Sequence, residues 1–296
     1  MKKIVFILTI VLILGKISII YARSLEEIKK TKEIRFCLPY PDEPYVKLES
    51  ENCVRDKCKF SGMFYEEAQL FTKSLGTDIK PKFIRIEWDE QFYNKDGKTV
   101  LEDSYTPEML ASGQCDCLPN NLTKNEWRQK KMDFVILFPS RMMVVINKSK
   151  KGEYKTVNDL EGKTVLVEKN TSYQTWIEEQ NKAVFTKNPI KIEIMLEPQA
   201  KKIINDEEKN YFMVFDADVA IWSTRYEMKN STVVFPVGPV DEIGWGFKKE
   251  DKDLQTAAQK FFEEQRKDPK SELNTIWKNF YGRTLTEYIS LMLSVK

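Results

Sequence analysis

The sequence predicts an α/β fold whose strands form parallel sheets covered by helices on both faces. Three observations predict it. Short apolar, β-branched runs alternate with amphipathic helical stretches along most of the 296 residues, the order that builds parallel sheets. With 42% hydrophobic and 12% aromatic content against 31% charged, the chain has ample material for a core and is not disordered. Its length suits one large domain or two lobes of ordinary size.

The elements follow in order. Residues 1–22, MKKIVFILTIVLILGKISIIYA, begin with Lys2 and Lys3, continue through an apolar run from Ile4 to Leu14, and end in the small Ala22. That is the layout of a secretory signal peptide, with a periplasmic or extracellular destination. The alternative is an uncleaved anchor, against which Lys16 interrupts a stretch short of the ~20 residues a span requires. Next, SLEEIKKTKE has helical charge patterning, and IRFCLPY reads as a buried strand stopped by Pro39 and Pro41. Gly62–Leu75 sets Phe64, Ala68, Phe71 and Leu75 on one helical face, with Gly76 as its stop. IKPKFIRIEW is an alternating strand, TPEMLASG a helix, CDCLP a short strand, and NEWRQKKM a short basic helix or turn.

DFVILFPSRMMVVIN is extended and is expected to break at Pro139 and Ser140. A second alternation follows: VNDLEGKTVLVEKNTSYQTWIEEQ as turn, strand and helix start, KIEIMLE as strand, AKKIINDEEKN as helix, and YFMVFDADVAIW as a strand running into a helix. VVFPVGPVDEIGWGFKK returns as strands, and DLQTAAQKFFEEQRKD and SELNTIWKNFYG close the chain as helices. RTLTEYISLMLSVK reads as a final amphipathic helix.

Charge and residue counts exclude several functions. There is no histidine, so neither Ser-His-Asp nor Cys-His catalysis nor an imidazole metal site is available. The 47 basic and 45 acidic residues give a formal charge of +2. Residues 1–22 hold three lysines and no acid, so the remainder carries 44 basic against 45 acidic residues. Such a balance does not fit a nucleic-acid binder. Of the five cysteines, Cys53 and Cys58 share a polar loop and can close a small disulfide in an exported protein. Cys37, Cys115 and Cys117 lie in strand-like segments, the last two expected on one face of one strand, and at least one cysteine is unpaired. No C-x2-C pair exists, so no thiolate metal site is expected.

Five segments then carry a resemblance. They are the opening helix and strand with the helix from Gly62 to Gly76; LASGQCDCLPNNLTKNEWRQKKMDFV; VNDLEGKTVLVEKNTSYQTW; VFDADVAIW with EIGWGFKKED; and the closing LNTIWKNFYG. Their order and spacing, from about Ser24 to Gly282, resemble the family 3 extracellular solute-binding proteins, the periplasmic amino-acid receptors of ABC importers. The resemblance implies a two-lobe periplasmic-binding-protein-like (type II) fold with two crossover strands as the hinge. Lobe 1 would comprise residues 23–137 plus 244–282 and lobe 2 residues 143–238, with crossovers at 138–142 and 239–243 and a C-terminal tail at 283–296.

It also implies a ligand site. Arg128, six residues before Phe134, falls where the family grips a ligand carboxylate, and a guanidinium fork suits that task; without the resemblance it is one basic residue of a solvated turn. Thr171 and Ser172, where a strand meets a helix, offer hydroxyls and free N–H groups to an anion, or an ordinary N-cap. Asn170 stands where the family usually has glycine. Asp216 ends a strand where the family supplies a carboxylate for a ligand ammonium, with Asp218 the competing candidate and helix capping the bland reading of either. Tyr45 and Phe64 would be aromatic cleft walls, or core. Asn121 and Thr123 match the loop that hydrogen-bonds the ligand, and Trp127 would stack or pack. Insertions at about 46–60 and 91–104 lie near the expected cleft mouth.

The implied function is capture of an amino acid or similar small zwitterion and its delivery, by hinge closure, to an ABC permease in the inner membrane. The protein would be a monomer without cofactor or metal and would perform no chemistry. Two alternatives stand beside it. One is a periplasmic enzyme of the same fold, cyclohexadienyl or arogenate dehydratase-like, needing a cleft acid such as Glu66, Glu67 or Glu87. The other is a ligand-free accessory or sensor subunit.

Overall fold

The computed structural model describes residues 23–40 and 44–294, so the export signal expected over 1–22 lies outside the described residues. Ser24 opens α1 (Leu25–Thr31) with a capping box: its hydroxyl accepts from the Glu27 N–H while Glu27 reaches back to the Ser24 N–H. Then come β1 (Glu33–Pro39), β2 (Lys47–Leu48), β3 (Phe60–Ser61), α2 (Met63–Leu75), β4 (Lys80–Ile86), α3 (Glu108–Ala111), β5 (Cys117–Thr123) and α4 (Glu126–Gln129). The long β6 (Asp133–Asn147) leads into β7 (Thr164–Val167), α5 (Ser172–Ala183), β8 (Lys191–Ile194), α6 (Glu197–Asp206), β9 (Tyr211–Asp216) and α7 (Ala217–Tyr226). The equally long β10 (Ser231–Phe247) returns, followed by α8 (Lys252–Lys267), α9 (Glu272–Tyr281) and α10 (Leu285–Ser294).

Among the described residues the main sheet has the order β4-β1-β5-β10-β6-β9-β7-β8. β1 runs parallel to β4 and β5, and β7 runs parallel to β8 and β9. Between these parallel halves, β6 and β10 pair antiparallel with each other along their length. The result is a two-lobed α/β protein whose lobes are joined by two strands that belong to both.

Strand alternation sorts side chains onto the two faces of each half. In the first lobe Phe36, Cys117 and Trp245 join the core under α2, α8 and α9, while Cys37, Leu118 and Met132 face a second cluster with Phe92 and Trp127. In the second, Val144, Ile146, Val165, Phe212 and Val214 pack on one face and Val145, Leu166, Met213 and Phe215 on the other. α10 adds Leu285, Tyr288 and Met292 to the first core.

Two expectations are corrected. β6 does not break at Pro139 and Ser140: Pro139 pairs with Glu242 and Ser140 with Asp241. A proline forfeits only its own N–H, and β10 absorbs the irregularity with register shifts between Val237 and Val240 and between Ile243 and Gly244. Cys115 and Cys117 do not share a face either. Cys115 precedes β5 and is bridged to Cys37 at a Cα separation of 5.6 Å, whereas Cys117 is buried and free in the opposite core. Asp116 turns the chain there, its N–H bonded to the Arg35 carbonyl and its carboxylate to the Arg35 N–H. Cys53 and Cys58 are disulfide-bonded, with Cα atoms 5.1 Å apart.

Candidate functional site

The C-terminal ends of β1, β4, β5, β7 and β9 converge where the lobes meet, the edge at which open parallel sheets place their sites. Gly62 caps α2 at φ 106°, and a Cβ there would fall 2.5 Å from the Tyr45 carbonyl oxygen. Only glycine allows this approach. It brings the Tyr45 and Phe64 rings into a stack at 4.6 Å, both buried. The Tyr45 hydroxyl then reaches across the cleft and donates to Asp218 Oδ2 at 2.5 Å.

β5 delivers Asn120, Asn121 and Thr123. Asn121 has a left-handed φ of 46°, and neither amide atom of its side chain has a partner. Thr123 Oγ1 lies 3.1 Å from Ser172 Oγ in the other lobe, to which it donates. Asn125 caps α4 through the Arg128 N–H. Arg128 is 1% exposed. Its Nη1 donates to the Thr123 carbonyl at 3.0 Å and its Nη2 to the Asn170 carbonyl, across the cleft, at 3.4 Å. The guanidinium sits 5.1 Å from the rings of Phe92 and Trp127 and 5.8 Å from Trp88. Its Nε has no partner, and among the described residues no carboxylate pairs with it. Burial pulls its pKa down to about 10, opposed by Tyr173, Asp216 and Asp241.

From the second lobe, Asn170 takes the left-handed conformation (φ 60°) in place of the family's glycine, and its amide donates to Asp89 Oδ1 at 2.9 Å, tying the lobes together. Trp88 Nε1 adds a bond to the Lys169 carbonyl at 3.1 Å. The Thr171 hydroxyl accepts from Gln174 N and donates to the Glu168 carbonyl, so it serves as an N-cap. Asp216, at the head of α7, makes no capping bond; its Oδ2 accepts from the Tyr173 hydroxyl at 3.1 Å and its Oδ1 has no partner. Burial raises the pKa of Asp216, and the Asp218 charge raises it further, while Tyr173 and Arg128 only partly oppose this. Burial likewise raises Asp218 against its bond from Tyr45.

These groups enclose an inner chamber of about 60 Å³ whose walls include Tyr45, Phe64, Asn121, Tyr173, Asp216 and Asp218. Trp88 and Glu197 also border an outer chamber of about 460 Å³, where Glu87, Asp89, Glu168 and Lys169 lie with Thr171. Of the sequence-predicted residues, Tyr45, Phe64, Asn121 and Asp216 line the inner chamber. Thr123, Arg128 and Ser172 cross-brace the lobes, and Thr171 faces the outer chamber. Trp127 packs on Phe92 at 4.9 Å. The inner walls also hold Trp88, Asn120, Tyr173 and Glu197, which sequence reasoning missed. Glu197 opens a helix after a strand, the same signal that marked Asp216. Glu67 is not a cleft residue; it is buried under α9, accepting from Trp277 Nε1 at 2.9 Å.

Two parallel half-sheets closed over a polar chamber define a two-lobed solute-binding protein. The chain belongs to the bacterial extracellular solute-binding proteins, family 3, whose model matches residues 103–282. It is 29% identical over 132 residues to the L-cystine-binding protein TcyJ of Escherichia coli, a match covering 44% of this chain and 42% of that protein. It is 26% identical over 210 residues to membrane-bound lytic murein transglycosylase F of Desulfosudis oleivorans, covering 69% of this chain and 40% of that protein. The chain thus spans less than half the length of the curated relatives it matches. Its fold is similar to that of the ancestral amino acid-binding protein AncCDT-1, a precursor of cyclohexadienyl dehydratase (TM-score 0.66, 21% identity, 87% of this chain and 98% of that one). It is also similar to the amino acid ABC transporter substrate-binding protein AbpA of Streptococcus pneumoniae (TM-score 0.67, 18% identity, 87% and 98%).

Proposed function

We propose that the chain is an extracytoplasmic receptor that captures an α-amino acid or similar small zwitterion between its lobes and presents it to an ABC-type permease by hinge closure. One observation carries this reading: among the described residues Arg128 is fully buried at the lobe interface with no carboxylate partner, within electrostatic reach of a buried Asp216 that has no cationic one. A zwitterion supplies both missing partners, its carboxylate to Arg128 with Thr123 and Ser172, its ammonium to Asp216. A ligand lacking either group leaves a buried charge unpaired, which is the source of selectivity. Lobes that already meet through Thr123–Ser172, Asn170–Asp89 and Trp88–Lys169 have the contacts that closure on a ligand uses. The basic, apolar residues 1–22 and the two disulfides favour export, and the receptor acts as a monomer.

The test is a thermal-shift screen of the twenty amino acids on the full exported chain. A true ligand raises the melting temperature progressively with its excess over Kd, by about 2.7 kcal/mol of stability at a hundredfold. Arg128→Ala abolishes that response. A normal response from Arg128→Ala would refute the site, and no response to any amino acid would refute the function.

A second reading, an enzyme on this fold, draws on the buried acids Asp216 and Asp218, whose raised pKa values suit a proton donor. Turnover of prephenate or arogenate supports it. Amino-acid binding without turnover removes it.

A further inference from the structure

Resting on the amino-acid receptor reading, we propose that the ligand carries a second positive charge, as in α-amino acids with a guanidinium or ammonium side chain, and that Asp218 is the residue that selects it. A neutral zwitterion matches Arg128 and Asp216 one for one. Asp218 is then left over. It is 2% exposed, lines the same inner chamber, and has one unpartnered oxygen, Oδ1. Its other oxygen has the Tyr45 hydroxyl, and the helix-end N–H groups of Asp218 and Val219 and the Ser140 hydroxyl also face the carboxylate, all of them neutral donors. Among the described residues no lysine or arginine forms an ion pair with either Asp216 or Asp218. A buried carboxylate met only by neutral donors still lacks a countercharge, and two on one wall repel each other. A ligand with one cation relieves one of them; a ligand with two relieves both.

The surroundings have the same sign. Asp241, on β10, is a third acid within electrostatic reach of Asp216 and Arg128. The outer chamber through which a ligand passes presents Glu87, Asp89, Glu168 and Glu197 against the single Lys169 among its described lining residues. Such a mouth concentrates cations and repels anions. The stacked Tyr45 and Phe64 rings beside Asp218 give the stem of a long side chain an apolar wall, and their faces suit a cation. Burial and mutual repulsion hold the acid pair towards its protonated form in the absence of ligand, and a bound cation favours release of that proton.

The experiment is calorimetric titration of the full exported chain with arginine, ornithine and citrulline. Citrulline keeps the shape of arginine and replaces the guanidinium with a neutral ureido group. Arginine or ornithine should bind at least about tenfold tighter than citrulline, and Asp218→Asn should collapse that ratio to within about threefold. The wild-type comparison needs no variant and stands even if Asp218→Asn fails to fold. Citrulline, or any neutral amino acid, binding as tightly as the cationic ones overturns the inference while leaving the receptor reading intact. An unchanged ratio in a folded Asp218→Asn overturns the role of Asp218. If no amino acid binds, the receptor reading itself falls.

Discussion

Arg128 and the pair Asp216–Asp218 are buried to similar depth, yet their charges are met in different ways. The guanidinium has two backbone carbonyls, one from each lobe, and three aromatic rings. Each acid has only neutral donors, the Tyr173 hydroxyl for Asp216 and the Tyr45 hydroxyl with the Asp218 and Val219 N–H groups and Ser140 for Asp218, and each keeps an oxygen without a hydrogen-bond partner among the described residues. The arginine end therefore provides its own stand-ins for a ligand and holds the lobes together, whereas the acid end is left in deficit. On the proposed zwitterion reading, the difference assigns most of the binding energy to the acid end: a ligand carboxylate at Arg128 would displace good contacts for a modest net gain, while a cation at the acids would remove a penalty already present.

Asp216→Asn breaks this comparison most directly. It should remove about 2–5 kcal/mol of ligand affinity, since truncating one side of a buried charge pair strands the other, and it should raise the melting temperature of the ligand-free protein. Titration calorimetry and a thermal melt check the two halves; a variant less stable than the parent without ligand contradicts the deficit. Glu67→Gln sharpens the comparison with a buried acid outside the cleft. Burial lifts Glu67 from its ordinary 4.5 to about 8, against the bond from Trp277. Its folded form thus holds a proton that the unfolded chain has lost, so its stabilising share is full below about pH 4.5 and fades as pH rises towards 8. Replacement by glutamine should stabilise the protein by roughly 2 kcal/mol at pH 8 and little at pH 4, flattening the melting profile between them, with ligand affinity unaltered. Thr123→Val carries the smallest effect. Losing the Thr123–Ser172 bond should weaken closure by about 1 kcal/mol, read as a larger radius of gyration in solution scattering without ligand.

The fold was largely legible because its signal is periodic. Alternation along VVIN, TVLV and FMVF places each side chain on one face, and the ordered blocks put Asp216 at a strand end and Arg128 in a short basic helix or turn. Pro139 misled because a proline in a sequence suggests a stop, whereas a partner strand with bulges accommodates it. Cys115 and Cys117 depart from strand spacing for a related reason: the chain turns at Asp116, held there by its two bonds to the Arg35 backbone. The cleft walls Trp88 and Tyr173 come from segments whose sequence is equally consistent with core. Their orientation is set by long-range contacts, Trp88 with Lys169 across the lobes and Tyr173 with Asp216 within the second lobe, which no local pattern records. Asn170 was legible only as a departure from glycine; that it keeps the left-handed backbone and spends its amide on Asp89 is a tertiary fact.

β6 and β10 are zipped together from Ser231–Asn147 at one end to Phe247–Asp133 at the other. Each strand gives its two ends to different lobes, so melting either half strips pairing partners from its neighbour. Bending the pair requires only small torsions spread over a few residues, while parting it means opening the whole ladder. If the lobes close on a ligand as proposed, the same ribbon would make the protein two bodies for movement and one body for denaturation, letting it open and shut without approaching the unfolded state.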